Sequence, residues 1–258
     1  VLPAFLIGVI EDIKRNINPN YRLLATFISG FLFIMLTGYH IKELDIYLID
    51  NILSIYVFSL ILTCFAISGV INAINIIDGF HGLASGSLII MFASFAMIGW
   101  YTEDYLINNL AIISILIYSG FFILNFPFGF IFLGDSGAYF GGFLLSVLAI
   151  MLPYRNPEIS SWVSLLICSY PITETIFSIY RKIKRKGHHP SRPDGLHLHM
   201  LVYRSISRKI ANKTKLQKYR NAITSIIIWA FPLTSCIAAV LAYNKLSLVL
   251  ITIILVIM

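Results

Sequence analysis

Asn72, Asn75 and Asp78 stand three residues apart, so on a helix their amides and carboxylate share one face. They close an apolar run. A carboxylate costs on the order of 3 kcal/mol at the centre of a membrane helix, and less near the interface. Such a polar stripe either lines a site or caps the helix with hydrogen-bonding amides. Gly79, Gly82 and Gly86 follow it and permit a tight turn and close approach of a phosphate-bearing ligand. Asp135 lies among glycines in Phe132-Leu133-Gly134-Asp135-Ser136-Gly137, ten residues after Asn125. Its carboxylate suits a hard cation such as Mg2+ bridging to phosphate oxygens, or the N-cap of the helix that follows. Glu11 and Asp12 end the first apolar run, as site acids or as solvated helix-end charges. His197 and His199 alternate behind Arg192-Pro193-Asp194-Gly195. No cysteine or third histidine stands at zinc-site spacing, so phosphate or proton handling is the chemistry they suit. His188 and His189 read as solvated loop residues.

The elements that must hold these groups are apolar. The chain has 258 residues, of which 58% are hydrophobic and 12% charged, about half the roughly 25% of a soluble domain. Mean hydropathy is +0.85. Disorder, collagen and a disulfide scaffold are excluded, and a soluble globular enzyme is argued against. The composition predicts an all-α, polytopic transmembrane bundle forming one domain over residues 1–258. Membrane helices need about 20 mostly apolar residues. Eight or nine spans are expected, at 1–10, 22–39, 46–71, 83–100, 106–125, 138–154, 160–180, 222–242 and 245–258, the last incomplete. Heptads and β-alternation are absent, so a helical bundle is favoured over a barrel. Cys64, Cys168 and Cys236 each sit in an apolar run with no CxxC spacing and read as packing residues. The opening Val1-Leu2-Pro3-Ala4-Phe5-Leu6-Ile7 has no basic leader region and reads as the tail of a membrane helix that begins upstream.

The net charge of +7 is concentrated. Residues 181–221 hold 13 of the 19 Lys and Arg residues, among them Arg192 and Arg204. The positive-inside rule places this loop in the cytoplasm. Counting spans backwards puts the loops at 11–21, 72–82 and 126–137 on the same side, and those at 40–45, 101–105 and 155–159 outside. Every polar cluster described above therefore faces the cytoplasm, which argues for one shared site.

Three stretches then carry a resemblance: NAINIIDGFHGLASG from Asn72, NFPFGFIFLGDSG from Asn125 and RPDGLHLHMLVYR from Arg192. In this order they resemble the polyprenyl-phosphate N-acetylhexosamine-1-phosphate transferases, the group that contains the murein-precursor translocase and the enzymes initiating enterobacterial common antigen and O-antigen. The resemblance implies a bundle of ten or eleven helices in the full protein, set in the bacterial inner membrane. It implies transfer of a sugar 1-phosphate from a UDP-N-acetylhexosamine to undecaprenyl phosphate, with Mg2+ as cofactor and UMP as product. It implies Asp135 and Asp78 as metal-site acids. Asp12, Asp78, His197 and His199 are implied as catalytic, and Glu11, Asn72, Asn75, His81, Asn125, Arg192 and Arg204 as substrate-binding. Three positions depart from the family pattern. Glu11 replaces the first Asp of an acidic pair, His81 stands where the best-known members carry Asp, and Met200 replaces a histidine. These lean toward surface-polysaccharide initiation rather than murein synthesis. The positive charge then faces anionic lipid, lipid phosphate and nucleotide diphosphate, with no sign of nucleic-acid binding; homo-oligomerisation is left open.

Two other classes compete. Asp78-Gly79 matches the Asp-Gly core of CDP-alcohol phosphatidyltransferases, but that signature needs further acidic residues on the next helix, and residues 83–100 contain no Asp, Glu or Arg. A transporter or lipid flippase would place carboxylates near mid-membrane, facing both sides by turns. Only Asp50 and Glu174 fall inside expected spans.

Overall fold

The computed structural model describes residues 1–184 and 196–257. Its elements in chain order are α1 (Leu2–Lys14), α2 (Pro19–Thr37), α3 (Tyr47–Leu53), α4 (Tyr56–Ile77), α5 (Leu83–Tyr101), α6 (Tyr105–Asn125), α7 (Gly134–Arg155), α8 (Ser161–Ile167) and α9 (Ser169–Lys184). After 196 come α10 (Leu198–Val202), a π turn (Tyr203–Ser207), α11 (Arg208–Thr214), a 3-10 turn (Gln217–Tyr219), α12 (Arg220–Ile228), α13 (Ala230–Ala242) and α14 (Leu246–Ile257). Among the described residues there is no strand, as expected of a bilayer-spanning chain whose backbone groups must pair within each segment.

Local chemistry sets the ends. Asn18 accepts the Asn20 N–H ahead of Pro19, so α2 starts with a side-chain cap and a residue that needs no donor there. Gly38 ends α2 at φ +74°. Asp104 accepts the N–H groups of Leu106 and Ile107 and starts α6. The core lies where α4, α5 and α7 meet. Ile67, Ile71, Ile74, Leu88, Met91 and Phe92 are fully enclosed there, while α1 and α2 pack on α7 and α4.

Among the described residues six helices are long and apolar enough to cross a membrane, or seven if the bent pair α8 and α9 is one span. This is fewer than the eight or nine expected, for local reasons. The 46–71 run is two helices. Asp50 turns back to accept the Leu44 N–H at 2.7 Å, and α3 ends at Ser54 before α4 begins. Asp50 thus belongs to a short segment at the far end and not to a span. The 160–180 run bends by 76° between α8 and α9, where Pro171 lacks the N–H needed to continue the ladder. The helices at 1–10 and 245–258 have 13 and 12 residues.

The loops separate into two ends. At one, Arg155 grips the Asp104 carboxylate with two N–H groups (2.7 and 3.0 Å), Asn156 adds a third bond at 3.2 Å, and Arg155 also reaches the Tyr39 hydroxyl. His40 packs edge-on against Tyr56 and Tyr154 nearby. Burial alone would raise the Asp104 pKa, but the Arg155 hydrogen bonds, with the Ile107 N–H and the Asn156 amide, hold it below the ordinary 3.8. A carboxylate depressed in this way adds stability that is full above its unfolded-state pKa and is lost as pH falls through the lower folded-state value. Asp104→Asn should therefore lower unfolding stability at pH 7 by about 1–2 kcal/mol. The gap to the parent protein should close as the pH drops below 3.8. Denaturant unfolding of the purified protein in detergent at both pH values checks this.

Candidate active site

The other end gathers the chemistry. The Asp12 carboxylate, at the end of α1, accepts the Asp135 N–H at 2.8 Å, the Ser136 N–H at 3.1 Å and the Ser136 hydroxyl at 2.6 Å. It thus caps α7 from another helix, where a negative charge meets unpaired N–H groups. Gly134 makes this possible: it sits at φ +69°, and a Cβ there would lie 2.8 Å from the Asp12 carboxylate oxygens. The Asp135 side chain is held from both sides. Asn75 donates to one oxygen at 2.8 Å, and Arg22, from the first turn of α2, donates to the other at 2.8 Å. Glu11 lies 3.7 Å from Arg22 and accepts the Ile17 N–H, which closes the turn between α1 and α2.

Asp78 terminates α4 beside this cluster, half-buried, with no hydrogen bond to its carboxylate among the described residues. Burial first, then the negative charges of Asp135 and Asp12, push its carboxyl up to about 7. A second arm reaches the same point. His199, on α10, is 2% exposed, and its Nε2 would lie 3.2 Å from a Cβ on Gly79, so the glycine lets the ring pack against the backbone next to Asp78. His197 stacks on His199 with ring centroids 5.3 Å apart and planes 4° from parallel. Burial, then the neighbouring His197, push His199 down to about 4, so this imidazole is neutral near pH 7. Its Nδ1 is buried with no hydrogen-bond partner among the described residues.

The structure therefore brings together Glu11, Asp12, Asn75, Asp78, Asp135, His197 and His199. Other expected site residues are occupied elsewhere. Asn72 lies one turn deeper and donates to Thr26 and to the Ser68 carbonyl, joining α4 to α2. Asn125 spends both ends of its amide on backbone, accepting the Gly82 N–H and donating to the Ile131 carbonyl. His81 bridges the Pro127 carbonyl and Asn221, and its own carbonyl accepts the Ser225 hydroxyl. Asn125 and His81 thus fasten the 126–133 loop and α12 to the turn before α5. Arg204 is exposed on the π turn; it is Arg220 that stacks on Tyr203, at 3.8 Å, and donates to its carbonyl. Arg192, His188 and His189 lie outside the described residues.

Two participants escaped sequence reasoning, Arg22 and Ser136, whereas Glu174 reads in the sequence as an exception inside a span that suits a site or a packing residue. Arg22 is an ordinary basic residue after a Pro-started helix, and only the fold places it 113 positions from its partner. Ser136 stood inside a motif already singled out. Glu174 showed as an acidic residue within an apolar run.

Three carboxylates crowd one another here, and Arg22 is the cation that pairs with one of them. Among the described residues no group of three or more His, Cys, Asp or Glu side chains forms a ready-made metal cage. Mg2+ commonly takes one or two carboxylates and completes its shell with water and substrate phosphates. Asp78 and Asp135 fit that pattern, since added positive charge would relieve the repulsion that raises Asp78.

Helices that span a bilayer, with an acidic and histidine-lined site where their ends converge, define a multi-pass membrane protein with a polar site at one end of its bundle. A family model described as glycosyl transferase family 4 matches residues 1–153. The chain belongs to that family. It is 37% identical over 140 residues to the Bacillus subtilis protein named "Probable undecaprenyl-phosphate N-acetylglucosaminyl 1-phosphate transferase", covering 54% of this chain and 38% of that one. It is 30% identical over 153 residues to the Escherichia coli undecaprenyl-phosphate alpha-N-acetylglucosaminyl 1-phosphate transferase, covering 57% and 41%. It is 32% identical over 182 residues to the Enterococcus hirae phospho-N-acetylmuramoyl-pentapeptide-transferase, covering 66% and 53%. The chain thus spans about half the length of these relatives or less.

The geometry separates residues that build the site from those that face it. Asn125→Ala leaves a buried N–H and a buried carbonyl unpaired and should cost about 1–3 kcal/mol of stability. Gly134→Ala adds a clash with Asp12 at a left-handed position and should cost about as much. Thermal unfolding in detergent checks both, with Arg204→Ala, an exposed position, expected to leave the midpoint unchanged.

Proposed function

We propose that the protein transfers N-acetylhexosamine 1-phosphate from a UDP-sugar to undecaprenyl phosphate and releases UMP, at the cytoplasmic face of the bacterial inner membrane. The observation that carries this reading is the convergence of Asp12, Asp78 and Asp135 with Asn75 and Arg22 at one end of the bundle, in a chain whose relatives are named for such transfers. The basic segment 181–221 supports the cytoplasmic assignment.

In the reaction an oxygen of the lipid phosphate attacks the sugar-bearing phosphorus. The bond from that phosphorus to the bridging oxygen breaks, and the oxygen leaves with UMP. Two anions must meet, so positioning and charge neutralisation carry most of the catalysis. Mg2+ held by Asp78 and Asp135 would supply positive charge between the phosphates. Arg22 and Asn75 keep the Asp135 carboxylate aimed, and Asp12 fixes the backbone that presents it. His197 and neutral His199 stack beside Gly79, next to Asp78, and bring a second polar segment to the edge of the acidic cluster. Exposed Arg204 and the basic loop attract the nucleotide and lipid head groups.

Membranes carrying the protein should form UMP from undecaprenyl phosphate and one member of a UDP-N-acetylhexosamine panel. EDTA should abolish this and Mg2+ restore it. Asp135→Asn should lower kcat by 10²-fold or more, as expected when a charge-stabilising group is lost. Full activity in Asp135→Asn would remove the metal role assigned to that residue. Uptake of substrate into vesicles without UMP would replace the transferase by a transporter.

A further inference from the structure

Glu174 is a buried carboxylate on α9, outside the Asp12, Asp78 and Asp135 cluster. That helix leaves α8 at 76° and is strongly two-sided. One side exposes Ile176, Phe177, Ile179, Tyr180 and Ile183, and the other carries Glu174, 6% exposed. A buried charge on an apolar helix needs a partner to persist. Here a single oxygen, Oε1, accepts from two groups of the histidine segment: His197 Nδ1 at 3.0 Å and the Leu198 N–H at 2.9 Å. Tyr170, one turn earlier on α9, has a buried hydroxyl with no hydrogen-bond partner among the described residues.

We propose that Glu174 is a positioning residue that locks the ring orientation and tautomer of His197. The inference rests on reading His197 as a site residue. An ionised carboxylate accepts and cannot donate, so the His197 proton facing it must sit on Nδ1. The neutral ring then presents an Nε2 lone pair on the side away from Glu174. The Leu198 bond to the same oxygen holds the backbone beside the ring, which removes the freedom to turn the imidazole over. Because His197 lies flat on His199, and His199 abuts Gly79 next to Asp78, the lock reaches the wall of the site through two stacked rings. Such outer hydrogen bonds fix the tautomer of working histidines in other sites, and their loss typically costs 10–100-fold in activity. The exposed apolar side of α9 gives this arrangement its footing, since lipid contact holds the helix while its inner side holds the histidine.

The test uses the full chain in lipid nanodiscs with 15N-labelled histidine at mildly alkaline pH. The chain has six histidines, so the His197 signals are assigned by their loss in His197→Gln. The unsubstituted protein should show His197 protonated on Nδ1, whereas the Nε2-protonated form would overturn the proposal without any Glu174 variant. In Glu174→Gln the amide can accept or donate, so the two tautomers should mix. UMP formation should fall 10–100-fold in kcat with the KM for the UDP-sugar little changed. Added to His197→Gln, Glu174→Gln should have no further effect. An unchanged His197 tautomer in Glu174→Gln, or an equal loss of rate with and without His197, would overturn it. Glu174→Asp keeps the acceptor and should keep the tautomer if Glu174→Gln proves unstable. If no UDP-sugar is turned over, the transferase reading fails while the tautomer measurement still decides the role of Glu174.

Discussion

The structure turns on the Asp135 carboxylate and the charge it brings to the end of the bundle. One oxygen is held by Asn75 from α4 and the other by Arg22 from α2, while Asp12 from α1 binds the backbone beneath it. Four helices thus meet at one acidic group. In a bilayer nothing drives helices together as the hydrophobic effect does in water, so polar bonds between helix ends and close packing decide how they are arranged. Asp78 shows the strain of the arrangement, with its carboxyl raised to about 7 by burial and by neighbours of like charge. The site is an accumulation of negative charge at one end of the bundle, offset in part by Arg22 on Asp135.

The site has two walls of different character. The acidic wall is built from helix ends that the transmembrane packing fixes. The histidine wall comes from the segment after α9, where the chain has left the bundle, and it is tied back through Glu174. Gly79 is where they touch. The opposite end of the bundle is organised by a single grip of Arg155 on Asp104, with aromatic rings around it.

Much of this was legible in the residues. The all-α membrane class follows from composition, because runs of apolar residues without alternation have few other ways to satisfy their backbone. The acidic and histidine motifs stood out because charge is rare in such a chain. The amides are separated by the fold and not by the sequence. Asn72, Asn75 and Asn125 look alike in sequence, yet only Asn75 reaches the acidic cluster, while Asn125 is consumed by backbone groups and Asn72 ties two helices together. Which way an amide turns depends on the groups across the helix gap, and these come from distant parts of the chain. The difference in span number lies in α1 and α14, which have 13 and 12 residues, and in the bend that divides α8 from α9. Asp50 folding back on Leu44 and Pro171 breaking the ladder are local events with long-range consequences.

The sequence by itself determined the class of protein, the location of its chemistry in a few polar stretches, and their convergence on one end. Those conclusions depend on hydropathy and on the alternation of direction from span to span, both properties of the chain read along its length. Tertiary structure alone decided which side chains meet. The pairing of Arg22 with Asp135 across 113 residues and of Glu174 with His197 across 23 is set by how helices tilt, bend and pack. A hydrogen bond forms only when its two atoms come within about 3 Å, and no spacing rule along the chain encodes that distance between separate helices.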